Sequence, residues 1–153
     1  MEVKEAKELH SQVIRKFDRR RIITKGIDDL WAADLLFMIK FSEENEEYKY
    51  ILNVIDTFSK YVWSIPLKTK SGTAFTEVFE SIIEKSKRKP NLLHVDMGTE
   101  FENKKFQSML EKYDIKMYHT YNEEKSSIIE RFHRTLNQKL RIHFGANENF
   151  KWI

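Results

Sequence analysis

The chain has 153 residues, of which 41% are hydrophobic and 33% charged, with only 4 glycines and 2 prolines. This composition is typical of one globular domain with a sizeable core and excludes a disordered or fibrous chain. There is no cysteine, which excludes a disulfide scaffold, cysteine-ligated zinc and thiol catalysis and is typical of an intracellular protein. No stretch is long and apolar enough to span a membrane, and residues 1–7 lack the apolar run of a secretory signal, so neither membrane binding nor secretion is expected.

Basic residues are concentrated near the N-terminus, although the formal net charge is only +3. Residues 15–25 contain one acid, Asp18, and six cations: Arg15, Lys16, Arg19, Arg20, Arg21 and Lys25. Such a cluster can contact nucleic-acid phosphates, and a solvated helix end or a nuclear localisation signal are the alternatives. Residues 3–17 are predicted to be helical. We therefore expect a basic helical extension over 1–28 and the main domain over 29–153.

Three short apolar runs follow this extension and predict strands. They cover Trp31–Phe41, Tyr48–Ile55 and Lys60–Leu67, and the third alternates with period two. The acidic stretch Ser42–Glu47 predicts a hairpin turn between the first two. Because the gaps are of turn length, we expect the three strands to form an antiparallel meander.

Helices and strands alternate in the second half of the chain. A helix is predicted over 73–89, with four cations in its last turns, where the helix dipole favours positive charge: Lys85, Lys87, Arg88 and Lys89. Pro90 ends that helix. The elements predicted after it are a strand at 91–95, a helix at 103–113, a strand at 115–119, a polar loop at 121–126 and a helix at 127–143.

This order of elements predicts an α/β fold. Three antiparallel strands followed by alternating helices and strands indicate a mixed five-stranded sheet with helices on both faces. The connection from the first strand to the fourth would run parallel through the helix at 73–89. That arrangement would place Asp34 and Asp96 on neighbouring strands.

Two aspartates occupy positions from which they could bind a metal. Asp34 interrupts the apolar run from Leu30 to Ile39, where a carboxylate is costly unless it is paired or metal-bound. Asp96 ends the predicted strand at 91–95, and ligands collect at the carboxyl ends of strands in open α/β sheets. The alternatives are a hydrogen-bonded Asp34 at an exposed strand position and an Asp96 that caps a turn.

A third carboxylate, Glu130, lies in the first turn of the last predicted helix. Its apolar arc comprises Ile128, Ile129, Phe132, Leu136 and Leu140, and the opposite arc comprises Glu130, Arg134, Asn137 and Arg141. One acid followed by cationic and amide groups suits a metal ligand with phosphate contacts behind it. The alternative is the ordinary solvated face of an amphipathic helix.

Three carboxylates are the kind of ligand that Mg²⁺ or Mn²⁺ prefers over zinc. Two such ions can activate a water or a DNA 3′-hydroxyl and stabilise the leaving oxygen of an in-line displacement. Histidine is not needed as a ligand, and His94 is expected to pack beside Asp96. Asp56 precedes threonine and serine between two predicted strands, so a structural role in a turn is predicted for it.

The motifs around these carboxylates resemble the catalytic core of retroviral-type integrases in order and separation. They are Trp31–Asp34, His94–Phe101 and Ile129–Leu136. Within that superfamily, residues 19–31 and 122–127 resemble the integrases of Maverick (Polinton) transposons in particular. The resemblance implies an RNase H-like fold and a metal-dependent polynucleotidyl transferase that processes the 3′ ends of transposon DNA and then transfers the strands into target DNA.

The resemblance also implies roles for individual residues. Asp34, Asp96 and Glu130 would be the catalytic ligands of a two-metal site holding Mg²⁺ or Mn²⁺. Thr99 would contact the target DNA, and Lys125, Ser126 and Arg134 would contact the element ends. Five further DNA contacts are expected from charge and position: Arg19, Arg20 and Arg21 in the basic cluster, and Asn137 and Arg141 on the polar arc of the last helix. The full-length protein would act as a homo-oligomer in the nucleus.

The chain also departs from the retroviral pattern. Asp96 and Glu130 are separated by 33 residues, two fewer than usual, which predicts a shorter loop between them. Met97 and His133 stand where asparagine is common and are expected to tune the site. The chain ends at Ile153, so we expect a C-terminally truncated core, either a fragment or a degraded copy. A catalytically inert DNA-binding fragment and an RNase H-like nuclease are therefore the alternative functions.

Overall fold

The computed structural model describes residues 23–95, 101–119 and 127–153. These residues form the strands β1 (Leu30–Phe37), β2 (Tyr50–Asp56), β3 (Val62–Leu67), β4 (Leu92–Val95) and β5 (Lys116–His119), and the helices α1 (Gly72–Ser86), α2 (Lys104–Lys112) and α3 (Ser127–Asn147). The helix predicted at 3–17 lies outside the described residues. None of the described helices combines the length and the apolar character that crossing a lipid bilayer requires.

The sheet has the strand order β3-β2-β1-β4-β5. Strands β1, β2 and β3 pair in antiparallel fashion, whereas β4 is parallel to both β1 and β5. This confirms the predicted meander and the parallel connection from the first strand to the fourth. In the register of that parallel pair, Ala33 is the partner of Val95.

The alternation of side chains along β1 divides the core between the two faces of the sheet. Trp31, Ala33 and Leu35 belong to the large apolar cluster that includes α1 and α2. Ala32, on the opposite face, packs with Ile129 of α3. Successive strand residues point to opposite faces, so Asp34 lies on the face that α3 covers. The prediction of helices on both faces is confirmed.

Local capping explains where the first two helices begin. The Ser71 hydroxyl accepts a hydrogen bond from the Ala74 amide at 3.2 Å, and the Asn103 side chain accepts one from the Phe106 amide at 2.9 Å. The two caps lie against each other, because a Cβ added at Gly72 would overlap the Asn103 side chain. Glycine at the start of α1 therefore allows the two helices to pack closely.

The predicted first strand, Trp31–Phe41, is too long, because β1 ends at Phe37. The Phe41 amide donates to the Met38 carbonyl at 2.9 Å and forms a 3-10 turn. Met38 and Phe41 are apolar because they pack near Phe144 at the far end of α3. A short apolar run does not distinguish a buried strand from a buried turn. The other helices and strands predicted within the described residues are present, with ends within four residues of prediction.

The turn predicted at Ser42–Glu47 does connect β1 to β2, but it contains a buried residue that the sequence did not reveal. Asn45 is only 2% exposed. Its amide nitrogen donates to the Phe150 carbonyl at 2.8 Å, and its amide oxygen accepts from the Trp152 amide at 2.7 Å. Asn45 thereby holds the segment after α3 against the turn.

Arg88 was predicted to lie in the last turns of α1. It lies instead beyond the end of that helix and forms an ion pair. The helix ends at Ser86, Lys87 takes a left-handed conformation, and the chain turns Arg88 back towards the sheet. One guanidinium nitrogen of Arg88 lies 2.7 Å from Asp28 and 2.6 Å from Asp56. The Asp56 side chain is fully buried. Asp56 therefore has the structural role that was predicted for it.

The buried Asp56 carboxyl remains ionised because its partners outweigh its burial. Burial alone would raise its pKa, but hydrogen bonds from the Ser59 hydroxyl, the Phe58 amide and the Arg88 guanidinium together hold the pKa below its usual value. A depressed pKa means that the ionised form stabilises the folded state.

Replacing Arg88 by methionine should lower the free energy of unfolding by about 3–5 kcal/mol, since it leaves the buried Asp56 carboxylate without its counter-ion. Urea unfolding followed by circular dichroism measures this. Lys85→Met, at an exposed position in the last turn of α1, is the matched control and should change stability by less than about 0.5 kcal/mol. Equal stability of the two variants would contradict the assignment.

The contribution of Asp56 should depend on pH. Its folded-state pKa is lowered, so the contribution is complete above the unfolded value of about 3.9 and is lost as pH falls through the folded-state value. Unfolding free energies of the wild type and Asp56→Asn should therefore differ most near neutral pH and converge below about pH 4. A difference that stays constant down to the acid range would show that ionisation of Asp56 does not matter.

Candidate active site

Asp34 lies in the middle of the central strand β1, close to the Leu35 amide and to His133. Its side chain is 32% exposed. One carboxylate oxygen accepts a hydrogen bond from the Leu35 amide at 2.8 Å, and the other lies 3.5 Å from Nδ1 of His133 on α3. A partly exposed carboxylate on an otherwise apolar strand is thus held between its own backbone and the helix above it.

A row of polar side chains extends from Asp34 across the antiparallel half of the sheet. Asp34 pairs in register with Asn53, and Asn53 pairs with Ser64. The Ser64 hydroxyl donates to the Asn53 amide oxygen at 2.6 Å, and the Asn53 amide nitrogen lies 2.9 Å from Nε2 of His133. Asn53 is fully buried. The row and His133 together form a hydrogen-bonded group that borders Asp34.

Burial lowers the pKa of His133 below its usual value. The ring is therefore neutral near pH 7, with one nitrogen as donor and the other as acceptor. It contacts Asn53 and Asp34 through opposite nitrogens. His133 thus lies between β2 and β1, hydrogen-bonded to Asn53 and 3.5 Å from the Asp34 carboxylate.

Glu130 lies in the first turn of α3 and is half-buried. Its neighbour Ile129 packs on Ala32 of β1, and His133, three residues further along the helix, contacts Asp34. Residues three apart on a helix share a face, with Cβ atoms about 5–6 Å apart. The fold therefore brings the start of α3, with Glu130, to the part of β1 that carries Asp34.

The predicted arcs of α3 are reproduced in part. Ile129 is buried, and Phe132, Leu136 and Leu140 are half-buried. On the other arc Arg134 and Arg141 are exposed, whereas Asn137 is half-buried. The two arginines are thus available to a polyanion.

Several predicted site residues lie outside the described part of the chain. They are Asp96, Thr99, Lys125, Ser126, Arg19, Arg20 and Arg21. Within the described ranges, no group of three or more histidines and carboxylates is placed to hold a metal ion. His94, expected to pack beside Asp96, stacks on Tyr118 with ring centroids 4.9 Å apart.

Asn53 is absent from the predicted site residues, although the sequence contains a signal for it. Asn53 interrupts the apolar run of the second strand as Asp34 interrupts that of the first. A polar residue in a buried strand requires a hydrogen-bonding partner. This pattern singles out Asn53, but it does not identify His133 as the partner, because that pairing depends on where α3 packs.

Comparison with known proteins identifies the family of this chain. The model of the integrase core domain family matches residues 26–123, which is more than half of the chain. The chain belongs to the integrase core domain family. The match contains Asp34 and Asp96 and ends before Glu130.

Curated relatives of this integrase core include mobile-element proteins. A transposon-derived protein of Caenorhabditis elegans is 25% identical over 116 residues, covering 76% of this chain and 41% of that protein. The retrovirus-related Pol polyprotein from transposon 412 of Drosophila melanogaster is 29% identical over 123 residues, covering 78% of this chain and 10% of the polyprotein. The chain therefore spans less than half of either relative.

Solved structures share the fold. The HTLV-2 integrase catalytic core domain, solved in complex with magnesium, has a TM-score of 0.66 at 21% identity and covers 84% of this chain and 80% of that one. The chain from the simian T-cell lymphotropic virus intasome has a TM-score of 0.69 at 22% identity and covers 92% of this chain and 49% of that one. This integrase core therefore has the RNase H-like fold expected from its sequence.

Proposed function

We propose that this chain is the catalytic core of a DNA integrase that processes the 3′ ends of transposon DNA and transfers them into target DNA. The observation that carries the proposal is the position of Asp34. It is a partly exposed carboxylate on the central strand of an integrase fold, and it faces α3, which carries Glu130 in its first turn. Asp96 is proposed as the third member of the acidic triad. It follows Val95, whose partner on β1 is Ala33, the residue before Asp34.

Mg²⁺ or Mn²⁺ fits the chemistry of these residues. Carboxylate oxygens are the hard donors that both ions prefer, and the backbone hydrogen bond at Asp34 restrains one carboxylate oxygen without removing the group from solvent. Two such ions at Asp34, Asp96 and Glu130 would supply Lewis-acid activation of the attacking oxygen and neutralise charge on the phosphate. The HTLV-2 core, a structural neighbour, was solved with magnesium.

The reaction itself is an in-line displacement at phosphorus. In processing, a water oxygen bonds to phosphorus and the bond to the 3′ oxygen breaks. In strand transfer, the freed 3′-hydroxyl bonds to a target phosphorus and displaces a 3′ oxygen of the target strand. The chain's own contribution would be to hold Asp34 on β1 and Glu130 on α3 and to orient the DNA.

Exposed cations on α3 are proposed to contact that DNA. Arg134 and Arg141 are exposed on α3, which carries Glu130 in its first turn, and Asn137 lies between them in the sequence. Thr99, Lys125 and Ser126 are further proposed contacts on the sequence resemblance alone, and Arg19–Arg21 on their positive charge. We also propose, from the resemblance, an element of the Maverick (Polinton) type and action in the nucleus, and, from the charge pattern, a basic extension over residues 1–28.

A homo-oligomer is proposed for the full-length protein. The HTLV-2 core has been solved in dimeric and trimeric forms, and another neighbour belongs to an intasome. These assemblies describe the relatives and support the same expectation for this chain.

Glu130→Gln should abolish metal-dependent resealing of a branched DNA, the disintegration reaction, which requires only a core. The loss should be roughly 100-fold or more, since metal-derived charge stabilisation is worth several kcal/mol. Glu84→Gln, at an exposed position on α1, is the matched control and should keep its rate, while EDTA should stop the wild type.

Three other outcomes would contradict the proposal. A Glu130→Gln variant that keeps its rate would remove Glu130 from the triad. Hydrolysis of RNA–DNA hybrids without resealing would favour the nuclease. A folded wild-type chain that binds DNA and shows no activity would favour the inert fragment.

Arg134→Gln should weaken DNA binding by a similar factor for all sequences and reduce the slope of log K against log salt by about 1, because one phosphate contact is lost. Fluorescence anisotropy over a series of salt concentrations measures this. Lys85→Gln removes a charge from α1, on the opposite face of the sheet, and should leave the slope unchanged. If both variants change the slope equally, binding reflects net charge and not the α3 surface.

A further inference from the structure

The group formed by Ser64, Asn53 and His133 has no assigned role, yet it ends on the proposed metal ligand Asp34. Asn53 is the residue through which the group is organised, because it is fully buried and contacts both other members. The order of donors and acceptors along this group determines whether His133 presents a donor or a lone pair to Asp34.

The Asn53 amide lies between Ser64 and His133. The Ser64 hydroxyl donates to the amide oxygen at 2.6 Å, and the amide nitrogen lies 2.9 Å from His133 Nε2. An amide nitrogen is only a donor, and therefore Nε2 must accept. In a neutral imidazole the proton then resides on Nδ1.

The position of Asp34 favours the same arrangement. Nδ1 of His133 lies 3.5 Å from a carboxylate oxygen of Asp34. If the Asn53 amide were reversed, Nε2 would carry the proton and the Nδ1 lone pair would face a negatively charged oxygen. A protonated Nδ1 instead presents a donor to that oxygen, at a distance that can shorten when the site is occupied.

We propose that Asn53, hydrogen-bonded to Ser64, holds His133 in the Nδ1–H tautomer and is thereby a positioning residue for the Asp34 carboxylate. This inference rests on the proposed function in assigning Asp34 to the site. The group joins β3, β2 and β1 to α3. It therefore also fixes α3, which carries Glu130, relative to β1, which carries Asp34. Outer hydrogen-bonding partners of metal ligands commonly orient them in this way.

The tautomer can be read directly. In a two-bond proton–nitrogen correlation spectrum of isotope-labelled protein near neutral pH, His133 should show the Nδ1–H pattern, assigned by its absence in His133→Asn. Asn53→Leu should shift His133 to a mixture or to the Nε2–H form. Ser64→Ala leaves the amide in place without its anchor and should produce a partial shift. Ser81→Ala, whose hydroxyl bonds the Val78 carbonyl on α1, is the matched control and should change nothing.

The effect on Asp34 is read from kinetics. Asn53→Leu should lower kcat for disintegration by roughly 10- to 100-fold, the usual range for losing an outer partner of a metal ligand, while KM for the branched DNA stays unchanged. Ser64→Ala, a substitution at an exposed position, should lower kcat in the same direction and remains folded if Asn53→Leu does not.

The two arms separate failure of this inference from failure of the proposed function. An Nε2–H tautomer in the wild type would overturn the inference whatever the activity. An unchanged kcat in Ser64→Ala, in a variant whose tautomer has shifted, would overturn the positioning role. Absence of resealing by a wild type with the Nδ1–H tautomer would instead contradict the proposed function.

Discussion

The constraint on which the site depends is the cost of placing polar groups on the central strands of a buried sheet. Asp34 and Asn53 each interrupt an apolar strand, and neither could lie there without hydrogen-bonding partners. Among the described residues, the Leu35 backbone amide, the Ser64 hydroxyl and the His133 imidazole offset this cost. Because these partners come from three strands and a helix, satisfying Asp34 also fixes how α3 packs.

The other face and the opposite end of the sheet supply the rigidity that such a site needs. Buried aromatic and aliphatic side chains form the core beneath β1, and the ion pair of Arg88 with Asp28 and Asp56 joins the segment after α1 to the residues before β1 and to the end of β2. Asn45 holds the segment after α3 at the far end of that helix. Both β1, with Asp34, and α3, with Glu130, are therefore restrained at their two ends. This restraint preorganises the two carboxylates.

Much of this could be predicted from the sequence, for identifiable physical reasons. Element order and sheet topology follow from hydrophobic periodicity and from the short turns, and Asp34 stands out because it interrupts an apolar run. Roles set by tertiary contacts could not be predicted in this way. Arg88 lies beyond α1, facing two aspartates distant in sequence, and Asn45 was indistinguishable from the other polar residues of its turn. His133 was expected only to tune the site, since its bond to Asn53 depends on the packing of α3.

The central claim is that Asp34, Asp96 and Glu130 bind the catalytic metal, and anomalous diffraction from crystals of the chain soaked in Mn²⁺ tests it most directly. The account predicts an anomalous peak within coordination distance of the Asp34 carboxylate, shared with Asp96 or Glu130, and its loss in Asp34→Asn crystals. Mn²⁺ bound only elsewhere, or a peak that persists in the Asp34→Asn variant, would contradict the claim.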